Sequence, residues 1–100
     1  MNKILIKERI NSNYAVSYEM AQKCLPEIKE VLSKSEQVVL DFTGVSIVSS
    51  PFLSGTIGLL VKDYSIEEVK QKVLLTNIPG GTEGLIETVL KNAASFYRNN

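Results

Sequence analysis

The sequence predicts an α/β domain in which a small, mostly parallel sheet is covered by helices. Three observations predict it. Two runs of consecutive apolar residues, QVVLDF at 37–42 and KVLLTNI at 72–78, suit strands buried on both faces. Two stretches with apolar residues at three- and four-residue spacing, Met20 to Leu32 and Leu85 to Tyr97, suit helices that bury one face. The two kinds of segment alternate along the chain, as they do where helical crossovers return each strand to one sheet.

Taken in order, Lys3 to Arg9 reads as a first strand with Ile4 and Ile6 on one face, ended by the turn-prone Asn11-Ser12-Asn13. Tyr14-Ala15-Val16 reads as a short return strand. Ser17 then offers an N-cap to a helix that buries Met20, Ala21, Cys24, Leu25, Ile28, Val31 and Leu32. Pro26 falls inside that helix, lacks the donor for residue 22 and crowds the preceding turn, so a kink or two shorter segments are expected.

Val38, Val39 and Leu40 in succession place the next strand mid-sheet. Thr43-Gly44 breaks it, and Val45, Ile47 and Val48 lead into Ser49-Ser50-Pro51, where Ser50 as N-cap and Pro51 as first helical residue open a second helix. Phe52, Leu53, Ile57, Leu60 and Val61 form its apolar side. Gly55 and Gly58 cost it about 1 kcal/mol each relative to alanine, so a close backbone contact is expected to compensate.

Ser65-Ile66-Glu67-Glu68 fits a capping box for a short third helix ahead of the strand at 72–78 and the turn Pro79-Gly80-Gly81. A final helix from Thr82 carries Leu85, Ile86, Val89, Leu90, Ala93 and either Phe96 or Tyr97, with Glu83 and Arg98 complementing its dipole. Asn99-Asn100 is expected to fray. With no repeat, linker or low-complexity segment, residues 1–100 read as one domain.

Composition narrows the function. Hydrophobic residues make up 44% and charged residues 22%, the proportions of a chain that folds on its own. Lysine and arginine total 11, as do aspartate and glutamate, so no basic field attracts nucleic acid and no long-range repulsion opposes a homodimer. Cys24 is the single cysteine and there is no histidine; a disulfide framework is excluded and no metal site is expected. Ile4-Leu5-Ile6 is bracketed by Lys3, Lys7, Glu8 and Arg9, so neither a signal core nor a membrane span is expected, and the expected location is cytoplasmic.

The same absence of histidine removes the usual general base, and with it Ser-His-Asp and Cys-His chemistry, so the chain is not expected to be an enzyme. Glu83 and Glu87 read as solvated helix positions, and Cys24 as a small buried hydrophobe. Gly80-Gly81 precedes a helix but lacks the lysine of a phosphate-binding loop, and reads as a turn. No cofactor is implied. The informative site is Ser49-Ser50, two hydroxyls where a helix opens. Ser50 has two readings there: a cap contributing about 1 kcal/mol, or a phosphorylation or docking site.

The stretch VVLDFTGVSIVSSPFLSGTIGLL, residues 38–60, resembles the signature of the STAS-like domains of unknown function, relatives of the sulphate-transporter and anti-sigma-factor-antagonist fold. The resemblance extends from about Tyr14 to Tyr97. In anti-sigma-factor antagonists an Asp-Ser-Ser-Gly segment opens the equivalent helix, and a partner ATPase kinase phosphorylates its first serine. That serine falls on Ser50, with Ser49, Pro51 and Phe52 at the other three positions. The resemblance implies a mixed sheet of about four strands in place of the parallel one, a binding surface around the second helix, and a histidine-kinase-like ATPase as partner.

The leading expectation is therefore a non-catalytic regulatory protein-binding module whose contact surface includes Ser49, Ser50, Phe52 and Ser54, switched by phosphate on Ser50. Two alternatives come from other classes. One is a small-ligand or nucleotide sensor that holds an anion at the same helix opening, with Gly80-Gly81 as a further candidate contact. The other is a structural homodimer joined through the helices and anchored by Phe52, Tyr64 or Tyr97.

Overall fold

Strand β3 (Val38–Asp41) is the axis of the molecule: Val38 and Leu40 have no exposed surface. The computed structural model, which describes residues 2–98, sets it between β1 (Lys3–Leu5) and β5 (Val73–Thr76), parallel to both. Ile4 registers with Leu40 and Leu40 with Leu75, so one apolar row crosses the sheet. A separate two-stranded sheet pairs β2 (Tyr14–Ala15) with β4 (Ile47–Val48), again parallel.

The α/β class holds. The mixed sheet of about four strands is corrected, because every pairing among the described residues is parallel and the strands divide into two sheets. Helices separate the sequence partners, and a parallel pair needs such a crossover. The segment 14–16 is thus no hairpin return onto the first strand; its partner lies about thirty residues on, at Ile47–Val48.

The first strand is shorter than its alternation implies. After Leu5 the chain turns into helix α1 (Ile6–Ile10), because Ile6 and Ile10 are four residues apart and both bury on one helical face. Asn11, left-handed at φ 53°, closes α1 with its N–H on the Lys7 carbonyl. Helix α2 (Tyr18–Lys34) begins where expected, the Ser17 hydroxyl accepting from the Met20 amide at 3.0 Å. It runs through Pro26 as one element, since the apolar face on both sides of the proline, Ala21, Cys24, Leu25, Ile28 and Leu32, is held in the core. Arg9 of α1 pairs with Glu27 of α2.

The expected second helix is two: α3 (Ser50–Ser54) and α4 (Ile57–Leu60). They part at Gly55–Thr56, where the buried Thr56 hydroxyl donates to the Phe52 and Leu53 carbonyls at 3.1 and 3.3 Å, back-bonding that bends a helix. Helix α5 (Ile66–Lys72) has the full capping box: the Glu68 amide donates to Ser65 and the Ser65 amide to the Glu68 carboxylate. Helix α6 (Thr82–Tyr97) follows the turn at 79–81, and Arg98 caps it. The Arg98 guanidinium donates to the Val61 carbonyl at the end of α4, rather than to the last carbonyls of its own helix. The expected fraying at Asn99–Asn100 lies outside the described residues.

Candidate functional site

The two-stranded sheet delivers the chain to α3. The Ser49 amide donates to the Ala15 carbonyl at 3.0 Å and the Ser49 hydroxyl to the Val16 carbonyl at 2.7 Å. Ser49, not Ser50, is therefore the N-cap by backbone conformation, and its side chain is committed to Val16, so α3 has no side-chain cap. Ser50 is the first helical residue, half-buried, and its hydroxyl has no hydrogen-bond partner among the described residues. It is not sealed in the core. At five residues α3 is also too short to build the dipole of a long helix.

The four expected contact residues separate into two groups. Ser49 and Ser50 are half-buried and Ser54 is exposed, so all three reach the surface. Phe52 does not: it is fully buried, edge-on to Phe42 with ring centres 6.3 Å apart, and is a core residue. Of the other expected anchors, Tyr64 and Tyr97 are half-buried.

Around the serines lies a patch that periodicity alone did not single out. Tyr14 and Ile47 are registered partners across β2 and β4, and each is 51% exposed; Val16 and Tyr18 are exposed beside them. The signal for it is present in the sequence. Residues 11–18 and 42–61 contain no Asp, Glu, Lys or Arg. The part of such a stretch that does not enter the core adds no charge of its own to the surface, the Lys7 side chain standing against Gly44 at its margin. Gly55 fixes the patch to α2, since a Cβ there would meet the Ala21 Cβ at 2.7 Å and the Tyr18 ring at 3.0 Å. This is the close contact the glycine was expected to serve.

Asp41 anchors the loop that leads to the patch. Its Oδ1 accepts from the Thr43 hydroxyl at 2.6 Å, the Asn77 amide group at 2.9 Å and the Thr43 backbone at 3.0 Å, with Lys3 Nζ 3.7 Å from Oδ2. Those bonds, the Thr43 hydroxyl first, hold the carboxyl down at about 2. The carboxylate thus ties the loops after β3 and β5 together, and Gly44 at φ 82° reverses the chain toward β4.

The remaining candidates are structural. Burial pushes the Cys24 thiol up to about 11, which leaves it a packing residue. Glu83 and Glu87 are exposed, Glu87 paired with Lys70 at 2.9 Å. At Gly80-Gly81 the Thr82 hydroxyl donates to the Pro79 carbonyl and closes a turn. Among the described residues no group of three or more Cys, Asp or Glu side chains is placed to hold a metal ion, and no helix is long and apolar enough to cross a membrane.

Compared with known proteins, residues 21–80, from the first turn of α2 to the turn before α6, match the family described as a STAS-like domain of unknown function. No curated protein and no solved structure matches the chain.

Proposed function

The chain belongs to the STAS-like domains of unknown function, and from that premise we propose that it is a non-catalytic regulatory module that binds a protein partner, in the manner of anti-sigma-factor antagonists. The observation that carries this reading is the exposed patch of Tyr14, Val16 and Ile47, joined through Ser49 to Ser50, with Ser54 one turn further along α3. Apolar residues exposed together and free of charge are what a protein interface covers.

Ser50 is the switch in this reading. A phosphate there would add a charge of about −1.5 to −2 to a surface whose nearest sequence, 42–61, has none, and an apolar interface is disrupted by that charge. The partner is a histidine-kinase-like ATPase, which would both phosphorylate Ser50 and be released by the product. No cofactor takes part, and a buried free Cys24 suits a reducing cytoplasm.

Binding of the immobilised chain to such an ATPase, and to protein from the native cytoplasm, tests the reading. Ile47→Ser and Ser50→Glu should each weaken capture by about tenfold or more, and Ser50→Ala by less than about twofold. Equal affinities for Ser50→Glu and Ser50→Ala would remove the switch; wild-type affinity in Ile47→Ser would remove the surface.

A further inference from the structure

We draw no further inference here: the strongest candidate, the face of the three-stranded sheet that carries Leu5, Val39 and Leu74 on the side away from Ile4, Val38 and Leu40, is an unpartnered apolar face and nothing in the structure shows what covers it.

Discussion

In the three-stranded sheet Val38 and Leu40 are sealed and the carboxylate that follows them, Asp41, is saturated with hydrogen bonds; in the two-stranded sheet Tyr14 and Ile47 face each other with half of each side chain in solvent. Both sheets are parallel and rich in β-formers, so strand character does not distinguish them. Cover does. Helices connect the strands of the first sheet and bury one face of it, Ile4, Val38, Leu40 and Val73, leaving Leu5 and Leu74 exposed on the other; the second is two residues long on each strand, buries Ala15 and leaves Tyr14 and Ile47 half in solvent. Ile4, Val38, Leu40 and Val73 of the first hold the fold, whereas Tyr14 and Ile47 of the second are available to another molecule.

Mutation should break that contrast most visibly in the core. Phe52→Ala removes a fully buried ring that packs edge-on against Phe42, and should cost about 3–5 kcal/mol in urea unfolding. Ile47→Ser, in the outer sheet, should cost no more than about 1 kcal/mol because half its surface is already wet. If Ile47→Ser destabilised the chain as much as Phe52→Ala, the patch would be core and the interface reading would have nothing to stand on.

A smaller effect should come from acid. Asp41 has a folded-state value held below the ordinary aspartate range, down to about 2, so its contribution is fully present above about pH 4 and is lost as pH falls toward 2. Glu27, bonded to Arg9, and Glu68, bonded to the Ser65 amide, are also lowered and act in the same direction. Melting temperature should therefore drop on acidification, and Asp41→Asn should flatten part of that drop while lowering stability at neutral pH. An unchanged slope between pH 4 and 2 in Asp41→Asn would mean that the carboxylate does not anchor the loops after β3 and β5.

The long elements were legible because burial and periodicity agree there. The α2 stripe, the Ser65–Glu68 capping box, the central position of β3 and the α6 stripe follow from residue spacing alone. Where one residue satisfies two periods the sequence was ambiguous: Ile6 alternates with Ile4 as in a strand and stands four from Ile10 as in a helix, and the tertiary contact with α2 decided it. The division of α3 from α4 turns on a threonine hydroxyl bonding backward, which no pattern of apolar residues encodes. In the site, the serines were legible as a turn into a helix, but which of the two caps depends on the Val16 carbonyl, supplied from about thirty residues away. Phe52 was read as surface because it sits next to them; in a helix the neighbour of an exposed residue points elsewhere.

The smallest effect is the sharpest test of the outer sheet's role. A capping Ser50 would cost about 1 kcal/mol on replacement by alanine. The geometry leaves neither serine capping α3 through its side chain: Ser49 joins β2 to the start of α3 through its amide and hydroxyl, whereas the Ser50 hydroxyl is bonded to nothing described and its residue is already helical. Alanine is also the better helix former, so Ser50→Ala should change stability by less than about 0.5 kcal/mol and in either direction. Ser49→Ala should cost about 1 kcal/mol, the loss of one hydrogen bond. Denaturant unfolding of the pair decides it, and the reverse ranking would return Ser50 to the fold. A hydroxyl that stability does not need, half-exposed beside an uncharged apolar patch, is one that a partner or a phosphate can use without disturbing the domain that carries it.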